Sequence, residues 1–149
     1  MSKIEEKALE LFENSHNCSQ SVLSALSSRL DITHKQAVSL AAGFGAGICF
    51  QGQTCGAVTG AYMALGLQSG SLFDDGESIK ENTYQYIRKY NDEFENLHGT
   101  TNCAKLLGID ISTESGVQEA TDMGVFKTKC PEFIRSSVSI CKELLRIDE

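Results

Sequence analysis

The segment Cys55–Leu67 is apolar on nearly every side, which narrows the folds open to this chain. Wound as a helix it offers no polar face to water, so it needs neighbours all round and belongs at a domain centre. Gly56, Gly60 and Ala64 recur at every fourth position, a spacing that lets another backbone approach closely. Gly60 in a helix interior costs about 1 kcal/mol relative to alanine, and close packing is the reason to expect it there. This segment and Ala37–Phe50 are the longest apolar stretches. Both are broken by glycine and fall short of the roughly 20 residues that cross a bilayer.

The rest of the chain reads as helices able to surround that centre. Ile4, Ala8, Leu11 and Phe12 mark one face of a first helix. Asn17 is a good N-cap for a second, with Cys18, Val22, Ala25, Leu26 and Leu30 on one stripe. Thr33 with Gln36 fits a capping box for a third, through Ala37, Leu40 and Ala41. Gly43, Gly45, Gly47 and Gly52 predict a flexible connector containing Cys49, and Thr54 caps the central helix. The longest helix runs from about Glu77 to His98, with Ile79, Thr83, Tyr86, Ile87, Tyr90, Phe94 and Leu97 inward and Gly99 as its stop. A short helix Cys103–Leu107 and a polar, mobile connector Gly108–Gly124 follow. The last helix opens at Cys130 with Pro131 in its first turn, and buries Ile134, Val138, Cys141 and Leu145. No segment alternates with period two for long enough to suggest a sheet. The expectation is an all-α, single-domain bundle over residues 1–149 with about six helices, its cysteines at helix N-termini around the central Gly/Ala-rich helix.

A net charge of −7 argues against nucleic acid, which needs a basic footprint. The same charge suits a basic redox partner protein. The charged N-terminus lacks the apolar core of a signal peptide, so the chain reads as cytoplasmic, with no membrane span. In a reducing compartment, cysteines are more often ligands or redox groups than permanent cross-links. The Gly/Ala-rich helix has a surface fit to pack within one chain or across a homodimer.

Six cysteines are present, and Cys18, Cys55, Cys103 and Cys130 each stand where a helix begins. Unpaired N–H donors and the positive dipole end at such places favour thiolate over thiol. Gathered at one point, the four thiols would suit a disulfide pair, a metal ion or an iron–sulfur cluster. No Cys-x-x-Cys pair exists, so any shared site has to be assembled by the fold. Core packing is the competing reading. Cys141, mid-helix on an apolar stripe, fits it best; Cys49 is intermediate, a supplementary thiol at most. His16, two residues from Cys18, is the one histidine placed to tune the chemistry. Gly43-x-Gly45-x-Gly47 follows a helix rather than a strand, which speaks against a dinucleotide site. Covalent haem is unsupported, since there is no Cys-x-x-Cys-His. No Ser/His/Asp set argues for hydrolysis.

The runs Asn17-Cys18-Ser19-Gln20-Ser21-Val22, Cys55-Gly56-Ala57-Val58-Thr59-Gly60, Cys103-Ala104-Lys105-Leu106-Leu107-Gly108 and Cys130-Pro131 add a further indication. In that order and spacing, with Gly43-Phe44-Gly45-Ala46-Gly47 ahead of the second run, the chain resembles the C_GCAxxG_C_C family of redox-active proteins from end to end. It departs from the family name at Thr54, where the name has glycine; Cys49 and Cys141 lie outside the pattern. The resemblance implies a redox role for the four cysteines and mildly favours a cluster, through links of related domains to iron–sulfur and haem electron-transfer proteins. Three hypotheses stay open. Cys18, Cys55, Cys103 and Cys130 are ligands of an iron–sulfur cluster or of zinc, flanked by Gly56, Gly60 and Asn17. Alternatively no cofactor binds, and Cys55 attacks as a thiolate with Cys18 resolving the mixed disulfide. In the third, the protein is a non-catalytic helical binding module whose cysteines only pack. Whether the chain catalyses a reaction or simply carries electrons is not decided by sequence.

Overall fold

A computed structural model describes the whole chain, residues 1–149, as an all-helical structure. Eight helices carry it: α1 (Lys3–Glu13), α2 (Cys18–Leu26), α3 (His34–Ala41), α4 (Gly56–Leu72), α5 (Gly76–His98), α6 (Cys103–Leu107), α7 (Glu114–Asp122) and α8 (Cys130–Leu145). Single turns at Ser27–Arg29, Ala42–Phe44 and Val125–Thr128 link them. There is no strand, only an isolated antiparallel bridge between Thr54 and Asn102. No helix is long and apolar enough to cross a membrane.

As its all-round apolarity predicts, α4 is the hub. Helices α2, α5 and α8 pack against it, and Ala57, Val58, Ala61, Ala64 and Leu65 are wholly buried. The fourfold small-residue spacing works as expected. A Cβ on Gly60 would stand 2.8 Å from the Ser19 carbonyl oxygen and 3.0 Å from Val22 Cβ. Only glycine therefore lets α2 lie this close. The buried apolar residues form one continuous core running from Ile4 to Cys141.

The structure corrects the expected count of about six helices. The segment Gly108–Gly124, expected as a polar connector, folds around α7. Thr113 caps it by accepting from the Gly116 amide at 3.0 Å, and Ile111 and Ala120 are fully buried beneath it. Within α7 Ala120 is the only fully buried side chain, with Val117 packed partly against the core, too thin a stripe for periodicity to show. Leu40 and Leu97, expected inside, are 54% and 63% exposed. Each lies at the edge of an amphipathic face that its neighbours do not reach.

The glycine connector also has a definite shape. Ala46, Gly47, Ile48, Cys49 and Phe50 all have left-handed backbones, with φ of 53°, 68°, 65°, 51° and 61°. A left-handed residue other than glycine costs roughly 1–2 kcal/mol, so four of them among these five residues form a strained turn held by its surroundings. The Gln53 amide donates to the Gly47 carbonyl at 3.0 Å, and an added Cβ at Gly47 would meet Gln53 N at 2.5 Å.

Candidate functional site

Four local devices set the cysteines in place. At the start of α2, Asn17 and Gln20 form a capping box with both bonds at 2.9 Å, leaving Cys18 as the first helical residue. Asn17 Nδ2 also donates to the Ala42 carbonyl at 3.0 Å, tying that helix start to the turn Ala42–Phe44. Cys18 Sγ rests directly on Gly56, where any Cβ would overlap the sulfur.

The Thr54–Asn102 bridge joins the second and third cysteines. The Cys55 amide donates to the Thr101 carbonyl at 2.8 Å, the Cys103 amide to Gln53 at 2.6 Å, and the Ala104 amide to Gly52 at 3.3 Å. This short ladder sets the starts of α4 and α6 side by side. Lys129 Nζ donates to the Leu107 carbonyl at 3.2 Å, fastening the start of α8, and with it Cys130, to the end of α6.

All four cysteines line one cavity of about 220 Å³. Phe12, Phe50, Phe126 and Phe133 surround it with Leu106, Leu107 and Ala46; Asn17 is its one polar side chain, and no charged group reaches it. The four thiols are free, with Cys18, Cys55 and Cys103 buried and Cys130 partly so. No three of the chain's Cys, His, Asp or Glu side chains are drawn together tightly enough for a single metal ion.

The electrostatics reverse one expectation. Helix starts favour thiolate, yet each of the four cavity cysteines is held above its ordinary range. Burial raises Cys18, opposed by the amides of Ala46, Ser19 and Gly56 that face its sulfur. Burial, then the neighbouring Cys18, pushes Cys55 well up, against the lowering amides of Ala57 and Val58. No capping hydrogen bond closes on the Cys55 sulfur, and the Val58 amide donates to the Cys55 carbonyl at 2.9 Å. Cys103 is pushed up to about 12 by burial and then by Cys18. Cys130 is pushed up to about 12 by burial, then by Cys18 and Cys103. An apolar cavity penalises charge more than the partial charge of a helix end relieves it.

Other sequence candidates fall outside the cavity. Gly60 lies one turn down α4 under Ser19 and does not line it. His16 holds its Nδ1 3.0 Å from the carbonyl oxygens of Leu11 and Asn14 and faces the His34 ring at 5.8 Å, away from the lining. Cys49 is exposed and Cys141 is fully buried in the core; neither lines the cavity. Sequence reasoning missed the phenylalanines around the thiols. Phe12 was visible only as a core position of α1, and Phe50 arrives through backbone angles that no periodicity reveals.

A protein of Archaeoglobus fulgidus described as an uncharacterized protein is 29% identical over 111 residues, covering 70% of this chain and 74% of the relative. No solved structure matches the chain. The family model described as "Putative redox-active protein (C_GCAxxG_C_C)" matches residues 16–144, a span that contains the whole cavity-lining set of cysteines, and the chain belongs to that family.

Proposed function

We propose that Cys18, Cys55, Cys103 and Cys130 hold an iron–sulfur cluster and that the protein carries electrons to and from a partner protein. The observation that carries this reading is the lining of a single cavity by four thiols and otherwise almost wholly apolar side chains. The donor set fits: iron–sulfur centres take cysteine thiolates, and bound there the cluster would supply a one-electron redox couple.

The raised pKa values point the same way. With Cys103 and Cys130 near 12, the free thiols stay protonated at neutral pH and are poor nucleophiles. Metal binding releases those protons and leaves thiolates in a site where water would not otherwise ionise them. A zinc ion on the same four thiols would be structural and carry no electrons. The amides around Cys18, those of Ala46, Ser19 and Gly56, would stabilise charge on its sulfur. A surface of net charge −7 suits a partner with a basic face.

Anaerobic purification followed by iron, acid-labile sulfide and visible-absorption measurements tests the proposal. Iron and sulfide in comparable amounts with charge-transfer bands are expected. Folded, colourless, metal-free protein that keeps its redox activity would sink it. One observation favours a second reading: Cys18 is the neighbour that most affects Cys55. In that case the two thiols form a disulfide, releasing two protons and passing two electrons to an external acceptor. Mass mapping after redox titration would find that bond reversible.

A further inference from the structure

The four-thiol cavity leaves His16 and His34 unused, and the fold brings them together from different elements. His16 lies in the link between α1 and α2, and His34 is the first residue of α3. Their rings stand 5.8 Å apart, centroid to centroid, with an interplanar angle of 66°. His16 is half-buried and His34 is exposed, so the pair is open to solvent.

Local structure fixes His16 in advance of any ligand. Ser15 takes a left-handed backbone with φ of 70°, and the His16 amide donates to the Leu11 carbonyl at 3.2 Å. This turn folds the ring back on the end of α1, where Nδ1 stands 3.0 Å from the carbonyl oxygens of both Leu11 and Asn14. A carbonyl oxygen only accepts, so Nδ1 carries the proton and donates. In the neutral ring the lone pair is left on Nε2. A histidine that ligates a metal is set up in this way, its second nitrogen donating to a backbone carbonyl that fixes tautomer and ring orientation. The element carrying His34 is held too. Gln20 Nε2 donates to the Val38 carbonyl at 3.1 Å and Asn17 Nδ2 to the Ala42 carbonyl at 3.0 Å, which fastens the start of α2 to α3 and its end.

We infer that His16 and His34 form a second cation site, separate from the thiol cavity, for one divalent ion of the zinc class, with His16 binding through Nε2 and water completing the coordination. Imidazole suits zinc, copper and nickel, whereas calcium and magnesium take oxygen ligands. An ion about 2.0–2.1 Å from one nitrogen of each ring sets the centroids about 5–6.5 Å apart, and the observed separation of 5.8 Å falls inside that range. No third Cys, His, Asp or Glu side chain joins the pair, so the site is open and exchanges its ion, unlike a closed structural zinc centre. The bound ion ties the α1–α2 link to the start of α3. The site does not depend on what the four thiols hold.

The test follows the histidine ring nitrogens by NMR in the reduced chain, first without metal and then with zinc chloride in excess of what the thiols take up. Without metal, His16 should show the Nδ1–H tautomer. With zinc, Nε2 of His16 and one ring nitrogen of His34 should shift together over one concentration range. His98, whose Nε2 lies 2.9 Å from Ser136 Oγ, should stay in place. His34→Ala, at an exposed position, should weaken zinc binding at His16 by about tenfold or more, since the second ligand acts intramolecularly. Cys130→Ser should leave both histidine responses intact. The opposite tautomer at His16, no shift, shifts of the two rings at unrelated zinc concentrations, unchanged His16 affinity in His34→Ala, or loss of both responses in Cys130→Ser would each overturn the inference. A chain that takes up no cluster counts against the cluster reading alone, and the paired histidine response still decides this site.

Discussion

Cys55 and Cys141 are almost equally hidden from water, at 5% and 0% exposure, yet they occupy opposite kinds of environment. Cys141 lies mid-way along α8, and burial is the only influence that lifts its thiol. Its helix neighbours have already committed their amides to backbone bonds. Cys55 stands at the N-cap of α4, where Cys18 and Cys103 lie near and raise its thiol further. Burial alone gives an inert, core-filling thiol. Burial together with a helix start and other sulfurs gives a place where thiolate is suppressed until a ligand brings compensating charge.

Removing one thiol from each environment tests that contrast most severely. Cys130→Ala should abolish the visible absorption and bound iron of reconstituted protein, since the cluster loses a ligand. Cys141→Ala should keep both and cost about 1 kcal/mol for the small cavity left behind. Equal loss in the two variants, read by iron content and chemical denaturation, would erase the distinction between them.

Packing around the sulfurs supplies a test of intermediate size. Gly56→Ala puts a methyl group into Cys18 Sγ and should destabilise by about 1–3 kcal/mol, with a lower iron content. Gly70→Ala, in the same helix but with nothing within 4 Å of the added carbon, should stabilise by about 0.5–1 kcal/mol. Denaturant midpoints of the two variants moving in the same direction would break the claim that glycine serves the sulfur rather than the helix.

The smallest effect is in the pH dependence of metal-free protein. Cys103 and Cys130 are near 12 when folded, against an ordinary 9, so the unfolded chain loses its thiol protons first. Their contribution to stability is complete below about pH 9 and drains away as pH rises towards 12. The melting temperature should fall across that window, and less steeply in Cys141→Ala, which removes another raised thiol. A flat profile would mean that the cavity is wet in solution.

Much of this was open to reading from residues along the chain, because helix formation is local. The periodic stripes, the capping boxes at Asn17 and Thr33, Pro131 and the all-round apolarity of α4 specify helices and their order. They also set four cysteines at helix starts. α7 escaped because its buried side is so sparse, and the left-handed turn escaped because four of its five residues carry side chains that disfavour it. His16 was suspected from its nearness to Cys18 in sequence, and its ring turned to the carbonyls of α1 instead.

By itself, then, the sequence determined an all-α chain with a buried central helix and thiols beside free amide donors, since backbone pattern and caps depend on neighbours a few residues away. Only the tertiary structure decided which thiols share a cavity, through the Thr54–Asn102 bridge, the Lys129–Leu107 link and the contact of Cys18 with Gly56. It also decided that those thiols are protonated when free. Desolvation is a property of everything packed around a group, and residues distant along the chain supply that packing.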